Sequence, residues 1–359
     1  MSDAAPRLPM SKRARVLLLS ASSLAVLVLV ALLLPVPFIR LAPGPTFDVI
    51  GDLDGKPVIQ ITGTATYPTT GELNMTTVLE SGGPRGGLTF IGALSSWFNS
   101  ADAVIPRELV YPDDVSGAQV RAEQAALFST SEADAVGAAM NYLDVPVTTE
   151  VVVSSVTLDA PASGRLEPGD EILAVNGTAV TDPAMVSAMV RKAPIGTTFT
   201  FSIERDDVKQ DVQVTSAASP SDPATPYVGI GVAVLEQPAF DVGINVGNVG
   251  GPSAGLMLSV GIIDKLTPGS LTHGRIIAGT GTIKPDGKVG PIGGIRQKLT
   301  GARSSGAELF LMPASHCKEA AGHVPDGLTV TPVKTLSEAV SAIESWTAGK
   351  SVPACPVQQ

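Results

Sequence analysis

The sequence predicts an α+β protein of two or three compact units behind one N-terminal transmembrane helix. Three observations lead there. The chain has 359 residues and a mass of 36.6 kDa, more than one ordinary domain needs. One uncharged apolar run lies close to the N-terminus. Beyond it, segments that alternate apolar with polar residues give way to segments with helical spacing, and back again. Charged residues make up 16% of the chain, below the roughly 25% usual for soluble domains, while apolar residues reach 44%. That balance excludes a disordered chain.

The apolar run is Val16 to Leu34, nineteen residues without a charge, about the length that crosses a bilayer core as a helix. Residues 1–15 precede it as a basic tail, and Pro35-Val-Pro37 closes it, so the anchor is placed at 16–36. A cleaved signal peptide is the alternative; the run is longer than the usual apolar region of one, and no A-x-A site follows. Arg7, Lys12, Arg13 and Arg15 against Asp3 give the tail +3, so the net charge of -10 leaves -13 on everything after it. Basic residues stay inside. The expected location is therefore the cell membrane, single-pass, with a cytoplasmic N-terminus and an extracytoplasmic body. An acidic body is a poor partner for phosphates, which argues against nucleic acid.

Residues 41–145 begin with a Pro- and Gly-rich stretch, a linker or first strand. Val58–Thr66 and Glu72–Leu79 read as strands, the second ending at a glycine-laden loop (Ser81–Gly87). Val115–Leu143 is Ala-rich with helical spacing, and Asp and Ser near Ser129 predict that it is split into two helices. Residues 146–216 form the next unit: a β-branched run at Val151–Val156, the string DAPASGRLEPGDEILAVNGTAV, a helix over Pro183–Lys192 and a strand over Thr198–Arg205. The Gly-Asp, short apolar strand, Asn-Gly turn and following helix resemble a PDZ domain of the bacterial protease-associated type. That resemblance implies a small barrel with an open strand edge that captures an extended peptide. No Gly-Leu-Gly-Phe type loop precedes Val151, so the ligand-gripping residues stay unassigned.

A Pro/Ser linker (Ala217–Pro226) leads to residues 227–348. Strands are expected at Val228–Val234 and Phe240–Val246, then an apolar helix at Pro252–Leu266 and a turn–strand series through Ile276–Val289. Helix Ile295–Arg303, strand Glu308–Met312 and helix Ser337–Trp346 follow. Residues 349–359 are a C-terminal tail. The two cysteines, Cys317 and Cys355, exclude a disulfide framework. On the exported side they either bridge, closing a loop of 38 residues, or stay apart because the tail frays.

Gly251-Pro-Ser253-Ala-Gly255 is the first candidate for chemistry. Pro252 suits the first position of a helix, which puts Ser253 at the positive end of the dipole among free N–H groups. Amides around Gly251 and Ala254 could then hold the oxyanion of acyl transfer. The alternative is a serine that only caps a helix. The string also fits the loose G-x-S-x-G pattern of α/β-hydrolases, which would require His273, His316 or His323 as base, but Pro252 fits their strained elbow badly. Lys298 is the second candidate. It shares a helix face with Ile295 and Ala302, while Arg296 and Arg303 lie on another. An amine among apolar neighbours is desolvated, and its pKa falls toward the range of a working base.

Together these segments resemble the peptidase domain of Lon, the Ser–Lys dyad protease. GGPSAGLML is similar to its nucleophile segment, GTGTIKPDGKVGPIGGIRQKL to its base segment, and AELFLMPASHCKEA to the strand that follows. Carried over by position, the resemblance implies Ser253 as nucleophile, Lys298 as base and Thr280 as the residue that orients the lysine. Gly250 stands where bacterial Lon usually has Asp, and Thr282 where it has Glu, which leaves the rim of the site open. GELNMTTVLESG (Gly71–Gly82) and the helix near Ala122–Phe128 resemble the start of the same domain. The expected fold is thus a Lon-type peptidase domain with an inserted PDZ domain, as in the PDZ-containing Lon-like proteases.

That resemblance implies an ATP-independent serine endopeptidase acting on unfolded or flexible extracytoplasmic polypeptides, with PDZ-assisted recruitment and a possible homo-oligomeric ring. The string Gly281 to Lys288 misses G-x-x-x-x-G-K-[ST] by its spacing and by Val289. Ser315-His-Cys-Lys318 is formally S-x-x-K but lacks its companion motifs. His316, Cys317 and His323 have no zinc-site spacing. No cofactor or metal is expected. The rival class is a PDZ scaffold on an inactive peptidase fold.

Overall fold

No charged side chain occurs between Val16 and Arg40, and the first element of the chain follows from that. A computed structural model describes residues 11–84, 86–111, 116–205, 208–247 and 249–356. Helix α1, Lys12–Leu33, is capped by the Ser11 hydroxyl, which accepts from the Ala14 N–H at 3.2 Å. Its 22 residues have no buried member and rise about 33 Å, close to a bilayer core. Pro35 ends it by holding Leu34 extended. Residues 1–10 of the expected cytoplasmic tail lie outside the described residues.

The chain divides into two units, Met1–Ala42 with Leu79–Gly117, and Pro43–Val78 with Ala118–Gln359. In the first, Pro35–Val36 pairs with Leu88–Thr89, which leads into helix α2, Phe90–Trp97. The start of strand Phe38–Asp48 pairs antiparallel with Ala103–Pro106. Arg40 forks onto Asp102 at 2.7 and 3.1 Å, and this buried carboxylate fastens the pair.

The second unit is built on parallel strands in the order Thr329–Val333, Leu309–Pro313, Ile276–Gly279 and Glu72–Ser81. Period-two alternation assigns the two faces. Ile277, Leu309 and Leu311 face helix α5 (Gly255–Leu266), the C-terminal half of α3 (Gly117–Tyr142) and α8 (Leu336–Thr347). Ala278, Phe310 and Met312 face α6 (Ile295–Ser304) and α7 (Cys317–Ala320). Ile276 through Gly279 register with Glu72 through Met75, so this sheet draws strands from both sides of the intervening 142–241 stretch.

That stretch holds a second, mainly antiparallel sheet, ordered Val208–Thr215, Thr198–Arg205, Glu171–Val175, Val147–Val156, Ile230–Pro238. Asn176 and Gly177 both have positive φ, 50° and 75°, as the expected Asn-Gly turn requires. Helix α4 occupies Pro183–Lys192, capped by Asp182. Asp170, 1% exposed, receives Arg205 at 2.6 and 2.7 Å and so fixes the Gly169-Asp170 turn to a strand.

Two expectations are corrected. Residues 117–142 form one helix, not two. The polar residues near Ser129 do not break it because their side chains find acceptors: Thr130 donates back to the Ala126 carbonyl at 3.1 Å and Ser131 to the Pro252 carbonyl at 3.0 Å. The boundary between 216 and 227 is also misplaced. Ile230–Pro238 pairs along all of Val147–Val156, from Ile230↔Val156 to Pro238↔Val147. It therefore belongs to the antiparallel sheet, and the intervening linker is a short hairpin, Ala217–Ala218 against Pro226–Tyr227.

Cys317 and Cys355 are bridged, with Cα atoms 5.4 Å apart across a separation of 38 residues. Thr331 also donates to the Pro353 carbonyl at 2.7 Å, so the tail is held rather than frayed. Replacing both cysteines by serine should lower unfolding free energy by about 3–4 kcal/mol on the chain-entropy model. Denaturant titration of the doubly substituted and native proteins checks this, and a difference below about 1 kcal/mol would show that the bridge adds little.

Candidate active site

Gly251 opens the Gly-Pro-Ser segment with φ +86°, a backbone state that a side chain would strain. Pro252–Ala254 form one 3-10 turn that runs directly into α5. The turn is pinned from three sides. Ser131 of α3 holds the Pro252 carbonyl. The Gly281 N–H donates to the Ser253 carbonyl at 2.9 Å, and the Leu256 N–H returns to the Gly281 carbonyl at 3.0 Å. Gly255 has to be glycine for reasons of space: a Cβ there would lie 2.8 Å from both Ile283 Cγ2 and Ser131 Oγ.

Lys298 reaches the same place from the opposite face of the sheet layer. Its helix starts at Gly294, whose φ of +71° is left-handed. Ile295, Leu299 and Ala302 are fully buried beside it, while Arg296 and Arg303 are exposed, as the helical spacing predicts. Lys298 itself is 2% exposed. Its Nζ lies 2.7 Å from Ser253 Oγ and donates to Thr280 Oγ1 at 2.8 Å. Thr280, fully buried at the end of Ile276–Gly279, donates its own proton to the Ser253 carbonyl at 3.1 Å. Burial, with no carboxylate to offset it, pushes the Lys298 pKa down to about 7.

All five residues singled out from the sequence therefore meet in one place. The oxyanion expectation needs correction at Gly251, because its N–H is donated to the Gln124 carbonyl of α3 at 3.0 Å. Pro252 has none to offer, which leaves the Ser253 and Ala254 amides. None of the three histidines joins Ser253. His316 Nε2 accepts the Ile292 N–H at 3.0 Å, and His323 Nδ1 sits 3.0 Å from the Ala321 carbonyl. Gln124 and Ser131 escaped the sequence reading because they lie on a helix more than a hundred residues before the motif they support. A third omission is the stretch Tyr227-Val228-Gly229-Ile230. Gly229 has φ +83°, and a Cβ on it would overlap that of Ala160. It opens the strand at one end of the antiparallel sheet, with α4 packed against it; the glycine between β-branched residues was the available signal.

Comparison with known proteins matches both parts of the chain. Residues 117–215 match the PDZ domain family and residues 200–344 the Lon protease (S16) C-terminal proteolytic domain. Lon protease of Buchnera aphidicola subsp. Schizaphis graminum is 35% identical over 91 residues, 24% of this chain and 12% of that protein. Lon protease 2 of Bacillus subtilis is 31% identical over 107 residues, 29% of this chain and 19% of that protein. The match thus spans less than a fifth of either relative. Among solved structures, the PDZ domain of an SdrC-like protein from Listeria innocua is 24% identical over 23% of this chain and 92% of its own, with a TM-score of 0.22. The molecule joins a PDZ domain to a Lon-type proteolytic domain. That combination is similar to the PDZ-containing Lon-like proteases.

The buried amine has a stability signature that does not depend on activity. Between pH 7 and its ordinary value of 10.5, Lys298 is neutral when folded and protonated when unfolded. The unfolded state then binds more protons, so this lysine makes stability rise with pH across that window. Lys298→Met should flatten the rise. Chemical denaturation of both proteins at the two ends of the window tests it; parallel pH profiles would mean that the amine is charged in the fold.

Proposed function

We propose that this chain is an ATP-independent serine endopeptidase, anchored by α1 with its body outside the cell membrane, that cleaves unfolded or flexible polypeptides through Ser253 and Lys298. The observation that carries the reading is the 2.7 Å approach of a buried amine, shifted to about 7, to a serine hydroxyl at the start of a helix. Thr280 supports it by elimination. Its proton is committed to the Ser253 carbonyl, so it can only accept from Lys298, which turns the amine's lone pair toward Ser253 Oγ. Ser253 attacks the scissile carbonyl as its proton passes to Nζ. The C–N bond then breaks, with that proton returned to the leaving amine, and water admitted through the same base hydrolyses the acyl-serine. The uncharged run of α1 from Val16 onward, behind the basic residues Lys12, Arg13 and Arg15, supports the anchor and its orientation. Recruitment is assigned to the edge of Ile230–Pro238 beside α4, where an extended peptide can add as another strand.

Ser253→Ala and Lys298→Ala should each reduce peptide cleavage by about a thousandfold or more, and the double variant should lose no more than either alone. Lys298→Arg should fail too, since a guanidinium stays charged. Activity should rise with pH through about 7, where the amine becomes neutral. Fluorogenic peptide kinetics read all of these. Near-normal turnover by a folded Lys298→Ala, with loss on substituting His273, His316 or His323, would transfer the role of base to histidine.

The pairing of Val147 with Pro238 brings the two ends of the PDZ sheet together, so residues 148–237 can be replaced by a short Gly-Ser link. That excision should raise KM for protein substrates and leave small-peptide kcat within about threefold. Ending the excision at Thr215 instead should destabilise the protein, because Ile230–Pro238 would lose its partner strand. If clean excision also abolishes small-peptide turnover, the PDZ part is structural.

A further inference from the structure

Outside α1, exposed large apolar side chains concentrate in the first unit. Leu79, Phe90, Ile91, Leu94, Trp97, Phe98, Leu109 and Val110 are all solvent-facing. In α2 the arrangement is inverted relative to an ordinary surface helix. Ala93 and Ser96, both small, are its buried residues. Phe90, Ile91, Leu94, Trp97 and the following Phe98 form the outward stripe at helical spacing, with Trp97 75% and Phe98 83% exposed. No residue from Phe90 to Phe98 is charged. A contiguous apolar stripe of this size on a folded unit marks a surface that another phase or molecule covers.

Two observations select the occupant. The N–H of Phe90 donates to the carbonyl of Leu34 at 3.0 Å, and Pro35–Val36 pairs with Leu88–Thr89. The start of α2 is therefore tied to the first residue beyond α1, and the two helices pack together. The stripe is thus continuous with the exposed apolar surface at the end of α1, Leu33, and at the following Leu34. Its composition is also that of the buried face of an interfacial helix, where Trp, Phe and Leu sit at the headgroup–acyl boundary, and Trp is enriched at that level. We infer that α2 is an interfacial helix, whose Phe90–Phe98 stripe lies in the outer leaflet of the same bilayer that α1 spans. This rests on the anchor reading of α1 and extends it from one attachment point to two.

The two tryptophans, Trp97 and Trp346, make the test direct. In the Trp346→Phe protein, reconstituted in phosphatidylcholine–phosphatidylglycerol vesicles and excited where tyrosine does not absorb, Trp97 is the sole emitting tryptophan. The expected result is a blue-shifted emission, quenched about twofold or more by lipids brominated high on the acyl chain and little by aqueous iodide. Ile91→Ser with Leu94→Ser should weaken the lipid quenching by a similar factor, without loss of the far-ultraviolet spectrum. An environment-sensitive dye on Val26→Cys in α1 separates the two readings. If that dye reports the hydrocarbon core while iodide, not bromolipid, quenches Trp97, the α2 inference is overturned and the anchor stands. If the dye reports water, the anchor reading fails and this inference fails with it. If Trp97 is shielded from both quenchers and the protein self-associates through it, the stripe joins copies of this chain and the inference is overturned.

Discussion

The arrangement depends on one constraint: an amine must sit in the interior without a carboxylate beside it. An acidic partner would satisfy Lys298 and hold it charged; the fold instead supplies two hydroxyls, Ser253 and Thr280. Much of the surrounding structure serves that condition. Thr280 is delivered by the end of a parallel strand whose own N–H is fixed by the Leu311 carbonyl. Gly279 and Gly281 flank it: a Cβ on Gly279 would collide with the Met257 sulfur at 2.5 Å, and one on Gly281 would crowd Val289 and Leu256. The lysine arrives on a helix whose apolar neighbours exclude water. A site with both groups on flexible loops could not sustain the desolvation that lowers the pKa.

The residues that touch one another in the site were legible because they lie in short local patterns. The Gly-Pro-Ser turn and the helical spacing around Lys298 each need only a few neighbours in sequence, whereas Thr280 came from the resemblance to the Lon base segment. The bounds of α4 and of strand Thr198–Arg205 were equally readable, since Asp182 and Pro183 cap the one and alternation marks the other. What failed was non-local. The continuity of α3 depends on a carbonyl at Pro252, far along the chain. Whether Ile230–Pro238 joins one sheet or the other is a matter of pairing, and its β-branched residues suit both. The engagement of the Gly251 N–H by Gln124 has no sequence signal at all. Helix α2 was overlooked because its periodicity is inside out.

Insertion explains how the two domains share one chain without disturbing each other. The PDZ sheet enters at Val147 and leaves at Pro238, which are partners in the same antiparallel ladder. The peptidase part needs only two neighbouring attachment points. Asn141 marks the join, donating both to Glu236 of the PDZ sheet at 2.9 Å and to the Pro285 carbonyl at 3.0 Å.

The same topology orders events in time. Strand Glu72–Ser81 emerges from the ribosome early, yet its partner Ile276–Gly279 follows the whole PDZ segment. Contacts so remote in sequence close slowly. The PDZ sheet is complete once Pro238 has been made, so it can form as a unit during synthesis. The long parallel sheet then has to wait for Leu309–Pro313 and Thr329–Val333. Ser253 is consequently translated well before the lysine and threonine that meet it are locked in place. A nascent chain stalled between Ser253 and Ile276 carries the serine without the threonine, the lysine or the central strand that later surround it.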